Sequence, residues 1–306
     1  MDTARALVRG CYDIQKLRIM IGNRICMNFY RKLGLTATTE NGAKSKGSEL
    51  GPEAEKMIAK LKKEYKNLAA GVAANRRAPR QFPADGLFSN TTEFILFGEY
   101  VALEKSEDRH FAEMRHAVET TSIGPWLLGI RGIGPASAGV LISEFDPHKA
   151  RHVSSFWKYC GLDVASDGLA RSRRAEHMRE YEYVDTEGGV RTKLGLTYNP
   201  WLRSKLYGAL GASLLRSKSP YADIYHNYKT RMENHAKWGI SMDKAKQEDF
   251  RDQASPLRRH RQSMRYMLKM FLRDLWVEWR QREGLPVTPT YAEAKLGLQH
   301  GAGVSA

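Results

Sequence analysis

Apolar residues at Leu7, Cys11, Ile14, Leu17, Ile21, Ile25, Phe29 and Leu33 recur at steps of three or four and are followed by Gly34. That spacing predicts one long amphipathic helix over about 3–33, with Gly34 as its C-cap. Residues 36–52 are polar and rich in Gly and Ser, a composition that predicts a flexible loop. Pro52 precedes a second helix, about 53–74, whose polar face carries Lys56, Lys60, Lys62, Lys63 and Lys66. After a Pro- and Gly-containing loop, Phe94, Phe97, Val101, Phe111, Met114 and Val118 mark a third long helix over about 91–119. Stripes this long predict helical hairpins or coiled-coil-like pairing over residues 1–120.

The pattern changes after residue 120. Leu127 and Ile130 end a short helix, Gly132-Ile133-Gly134 makes a turn, and Pro135 opens a second short helix that packs through Ala138, Val140 and Leu141. A further helix, 153–162, ends at Gly161, and 163–175 is a loop of small and basic residues. Tyr181, Tyr183 and Val184 alternate before a Glu-Gly-Gly turn, which predicts a β-hairpin over 180–198. Asn199-Pro200 reads as N-cap and first position of a helix to about 217 with a Leu202, Leu206, Leu210, Leu214 stripe. Another helix starts near Pro220, and the last, about 256–283, buries Met264, Leu268, Phe271, Leu272, Leu275 and Trp279. Residues 286–306 read as a loose tail. The expected fold is mainly α: long N-terminal helices over 1–120, a helix-hairpin-helix module with one small β-hairpin and basic C-terminal helices over 121–285, then the tail.

Composition narrows the class. The chain has 306 residues and three cysteines, Cys11, Cys26 and Cys160, with no CxxC spacing, which excludes a disulfide scaffold or four-cysteine zinc site. No apolar run approaches the ~18–20 residues of a membrane span, and Asp13 and Lys16 interrupt the N-terminus where a signal peptide needs an apolar core. The expectation is a soluble, cytoplasmic protein with no membrane partner. Charge is the informative quantity. Lys and Arg number 49 against 34 Asp and Glu, a net +15. Residues 201–282 hold 18 basic and 8 acidic residues, so two-thirds of the excess sits in about a quarter of the chain. A concentrated positive excess points to a polyanionic partner, which makes DNA the expected one and nucleoid association the expected location.

Two features carry candidate chemistry. In the Gly132-Ile133-Gly134 turn, glycines permit the unusual backbone angles and close approach, and free N–H groups at the following helix N-terminus can take a backbone phosphate without reading sequence. On the last helix Arg258, Arg261 and Arg265, with Lys269 and Arg273, recur at three- or four-residue steps and could track a phosphate backbone, as could Arg203 and Lys205 on the preceding leucine helix. The acids Glu180, Glu182, Asp185 and Glu187 of the hairpin read as a solvated edge rather than a metal site, and no metal ligand set is legible.

The ordered series GIRGIGPASAGVLISEFD, SFWKYCGLD, a small-residue loop, NPWLRSKLYGALGASLLRSKSPYADIYHNYKTR and RHRQSMRYMLKMFLRDLW resembles the C-terminal transposase domain of the Piv-type insertion-sequence transposases, the DEDD recombinases that work with a bridge RNA. The resemblance covers about residues 91–283. It implies phosphodiester strand transfer through a serine–DNA link, with DNA as partner, a guide or structured RNA and a homo-oligomer as further partners, and a divalent metal if the chain is catalytic. Its serine falls on Ser166, after the Cys160-Gly161-Leu162 segment, with Ser172 as a second candidate. Arg171, Arg173 and Arg174 would hold the scissile phosphate, since guanidinium forks donate bidentately to phosphate oxygens. The family's N-terminal acidic tetrad has no counterpart in the helical residues 1–120, so none of it carries over. No Ser/His/Asp spacing stands out along the chain.

Three readings follow: a transposase-like protein, a non-catalytic DNA-binding accessory protein, and a helix-hairpin-helix repair or RNA-binding protein in which Tyr181 and Tyr183 stack on bases. All three share one expectation. Binding of nucleic acid should weaken steeply as salt is raised from low to physiological concentration, because each contacted phosphate releases counterions. A flat salt response in a gel-shift titration would contradict the electrostatic reading.

Overall fold

The computed structural model describes residues 2–34, 50–235 and 255–289. The expected loop at 36–49 and tail at 290–306 lie outside them. Among the described residues the fold is mainly α, with a single two-stranded antiparallel hairpin. The chain divides into two compact units, Asp2–Met114 and the residues from Arg115 onward.

The first unit contains α1 (Asp2–Lys32), α2 (Pro52–Ala70) and most of α3 (Thr91–Glu119). Gly34, at φ +65°, ends α1 as the sequence predicts. Phe29, Tyr65, Phe88, Phe94 and Phe97 pack ring against ring in the centre, with Ile25, Met57, Ile58 and Leu61 around them. The rings meet edge-on or offset, the arrangements that the ring quadrupole favours. The carboxylate of Glu64 accepts the Leu87 and Phe88 N–H groups and so pins the loop that delivers Phe88. Arg18 pairs with Glu107, which also accepts from Gln15. One part of the predicted stripe differs: Leu17 and Leu33 are exposed, while Val8, Ile19 and Cys26 are buried. A mixture of three- and four-residue steps drifts around a 3.6-residue turn, and the buried face follows the turn rather than the apolar list.

The second unit holds α4 (Gly124–Gly129), α5 (Pro135–Glu144), α6 (Val153–Tyr159), a 3-10 turn (Ala175–His177), β1 (Met178–Val184), β2 (Val190–Leu196), α7 (Pro200–Lys205), α8 (Ala212–Arg216), α9 (Pro220–Glu233) and α10 (Pro256–Arg282). Asn199 caps α7 by accepting from Leu202 N–H. The helix expected to run unbroken to about 217 instead widens into a π-helical stretch, Leu206–Gly211, before α8. The leucine spacing explains it. A step of four in an α-helix drifts about 40° per repeat, and the wider i→i+5 turn offsets that drift. Leu202, Leu206, Leu210 and Leu214 are consequently all buried.

Helix α10 is the spine of this unit. Met264, Met267, Leu268, Phe271, Leu272, Leu275 and Trp276 are buried along it. Its polar groups reach back to loop carbonyls: Trp276 Nε1 donates to Ala150 O at 2.8 Å, and Arg280 donates to Pro147 O and Ala150 O at 2.6 and 3.0 Å. Lys269 O in turn accepts from Trp157 Nε1 at 3.1 Å, which fixes α6.

Candidate functional site

The loop between α6 and β1 carries a dense polar network, and it is held from both ends. Gly161, at φ +69°, turns the chain out of α6, and any side chain there would meet Tyr198. Arg265 then donates to the carbonyls of Leu162 (Nε, 3.0 Å) and Asp163. Arg171 grips the Asp163 carboxylate with Nε and Nη2, the latter at 2.7 Å. Arg203, stacked against Tyr198 and Tyr207, donates to Arg171 O at 2.8 Å. A bridge between Val164 and Ala170 closes the small turn that contains Ser166, Asp167 and Gly168.

These contacts give three of the expected phosphate-binding residues a structural task. Arg171, Arg203 and Arg265 are half-buried and tie the loop in place. Burial pulls the Arg265 guanidinium below its ordinary value, and burial beside Arg265 pulls Lys269 down to about 8. Lys269 Nζ lies 4.1 Å from the Trp157 ring. The basic row of α10 therefore faces the protein over much of its length, because four-residue steps wind it around the helix onto α6 and the loop. Arg261 remains exposed near the start of the helix, and Arg258 is half-buried one turn before it. Lys205 stacks on Trp201. Arg173 and Arg174 are exposed.

Within the loop, Ser172, His177 and Asp167 form a continuous chain of hydrogen bonds. Ser172 Oγ lies 2.9 Å from His177 Nδ1, and His177 Nε2 lies 2.9 Å from Asp167 Oδ2. The tautomer follows from a third contact. The Ser172 backbone N–H, which can only donate, is 3.0 Å from Nδ1. With Nδ1 accepting, the neutral ring carries its proton on Nε2, and Nε2–H donates a hydrogen bond to the Asp167 carboxylate. The imidazole bond, helped by Leu169 N–H, holds the Asp167 carboxyl below the usual carboxylate range. His177 is 2 % exposed, which fixes its ring, while Ser172 is only half-buried. The Ser172 oxygen accepts weakly from Arg174 N–H at 3.3 Å and keeps a lone pair for another partner. Ser166 sits on the exposed tip of the small turn. The hydroxyl with a base in reach is that of Ser172.

No family model, curated protein or solved structure matches this chain.

The second candidate region is the hairpin between α4 and α5. Gly132 adopts φ +95°, and a side chain on it would collide with Ser217, whose Oγ donates to Arg131 O at 3.1 Å. Ile133 is buried, and its N–H is taken by Ile130 O. Gly134 precedes α5 in an extended conformation, with open space where a side chain would go. The two glycines thus differ in kind: Gly132 is required by packing and backbone angle, whereas Gly134 leaves the start of α5 uncovered. Among the described residues no three or more His, Cys, Asp or Glu side chains converge to hold a metal ion. Asp185 instead staples the hairpin turn through Gly189 N–H at 2.8 Å.

The difference between the glycines is testable. Gly132→Val should destabilise the protein by more than about 1 kcal/mol, as for a side chain forced to positive φ. Gly134→Val should keep the helical circular dichroism and lower duplex affinity several-fold by covering the α5 N-terminus. Unchanged affinity in folded Gly134→Val would make the hairpin a packing turn only.

Proposed function

We propose that this chain is a DNA-binding, transposase-like protein that acts in DNA transposition by exchanging a DNA phosphodiester bond for a serine–DNA bond. The observation that supports it most is the Ser172–His177–Asp167 chain with exposed Arg173 and Arg174 beside it. A serine hydroxyl is a weak nucleophile until a base takes its proton, and a base works best when a third group fixes its tautomer. In the proposed step Ser172 Oγ attacks phosphorus and its proton passes to His177 Nδ1. The bond from phosphorus to one sugar oxygen breaks, and that oxygen leaves as a hydroxyl with the proton from the imidazolium. One phosphodiester replaces another, so a hydroxyl from a second strand can reverse the step and complete the transfer. The two arginines would neutralise charge on the non-bridging oxygens. The ordered motifs of residues 91–283 and the charge of residues 201–282 support the same reading. With it come a guide or structured RNA and a second copy of the chain as proposed partners, and the nucleoid as the place of action.

One observation favours a second reading, a non-catalytic DNA- or RNA-binding accessory protein. The Ser172 N–H to His177 Nδ1 and Arg174 N–H to Ser172 Oγ bonds also staple the loop. Incubation with end-labelled DNA and a divalent cation, followed by denaturing electrophoresis, separates the two. Wild type and Ser166→Ala should retain label, Ser172→Ala should lose it, and His177→Gln should slow labelling by about 10²–10⁴-fold, the usual contribution of a general base. Label retained in Ser172→Ala would overturn the assignment, and no adduct in the wild type would favour the binding protein.

A further inference from the structure

The β1–β2 ribbon begins at the residue after His177, and Thr197 at its other end donates to His177 O at 3.1 Å. Away from this root the strand residues are exposed on both faces except Tyr183, which is half-buried. A two-stranded ribbon with neither face packed is marginal by itself, so its side chains are free to serve a partner.

The register sorts those side chains by charge. Tyr181 lies opposite Lys193, Tyr183 opposite Arg191, and Arg179 opposite Gly195. These alternate residues share one face. Glu180 lies opposite Leu194 and Glu182 opposite Thr192, on the other face. A ribbon selected only for solubility gains a few tenths of a kcal/mol from each opposite-charge pair across its strands. This one forgoes them: its three cations are on one face and its two strand acids on the other. Arg191 is tied to two carboxylates of the turn, Asp185 at 2.6 Å and Glu187 at 3.8 Å.

The Tyr181 ring on the cationic face lies flat over the facing strand. Gly195 has no side chain, and any Cβ there would collide with the Tyr181 ring, which covers it. Lys193 Nζ lies 5.1 Å from the Tyr181 centroid and 4.4 Å from that of Tyr183. Tyr181 is 46 % exposed. An exposed ring and a half-buried one interleaved with cations suit an unpaired polynucleotide: bases stack on the rings and phosphates meet the charges, without sequence readout.

We propose that this face, Arg179, Tyr181, Tyr183, Arg191 and Lys193, binds a single-stranded DNA segment. The choice of DNA rests on the reading of the Ser172 loop as a strand-transfer site, since strand exchange leaves unpaired bases beside the attacked phosphate.

The test is equilibrium binding of a 30-nucleotide oligo(dT) and of a mixed-sequence duplex, followed by fluorescence anisotropy. Replacing Tyr181 and Tyr183 together by Ser should weaken oligo(dT) binding at least tenfold, the scale of base–aromatic stacking, and change duplex binding less than twofold. Tyr181→Phe with Tyr183→Phe should restore it. Ser172→Ala should bind oligo(dT) like wild type, so failure of the strand-transfer reading leaves this result readable. In the wild type, photo-crosslinking of an oligonucleotide carrying 5-iododeoxyuridine should label Tyr181 or Tyr183. Full oligo(dT) affinity in the Ser variant, or crosslinks confined to other segments, would overturn the proposal. Tenfold tighter binding of oligo(U) would overturn DNA as the occupant.

Discussion

The arginine ties around Asp163 are the constraint on which the serine loop depends. Arg265 takes the carbonyls of Leu162 and Asp163, Arg171 takes the Asp163 carboxylate, and Arg203 takes the carbonyl of Arg171. A buried guanidinium is costly unless its donors are satisfied, and losing one partner leaves the charge uncompensated. The loop therefore cannot lift away without stranding Arg265. A segment rich in small residues is given one shape by charges that arrive from α7 and α10.

That fixed shape brings Asp167, Ser172 and His177 together, and His177 then links the loop to the ribbon. Its side chain completes the hydroxyl–imidazole–carboxylate chain, and its carbonyl receives Thr197 from the far strand. Arg171 reaches toward the same threonine hydroxyl at 3.4 Å. Loop and ribbon thus share a root. In the proposed function a strand held on the ribbon would lead toward the serine.

Much of the fold was legible because burial imposes a period on a helix. The third helix begins and ends where its apolar stripe does, and Asn199 and Pro200 mark the start of α7. The hairpin was legible from alternation and its Gly-rich turn. The misses share one cause, which is that sequence spacing does not say which partner arrives. Arg261 and Arg265 sit in the same kind of sequence, yet one is exposed and the other is drawn onto two carbonyls. The π-helical stretch hid behind leucines that fit an α-helix nearly as well. Asp167, Ser172 and His177 are spaced by five, which matches neither helix nor strand, so no periodicity could group them. Only the turn at Gly168 and the 3-10 turn before β1 fold that spacing into contact.

The claim that unites these features is that Nδ1 of His177 is an acceptor aimed at the Ser172 hydroxyl. Nitrogen-detected NMR of protein labelled with nitrogen-15 in histidine reads it directly, with His177→Gln used to assign the resonance. The neutral ring should carry its proton on Nε2, protected from exchange, with an unprotonated Nδ1. A proton found on Nδ1, or a ring averaging between tautomers, would contradict the account.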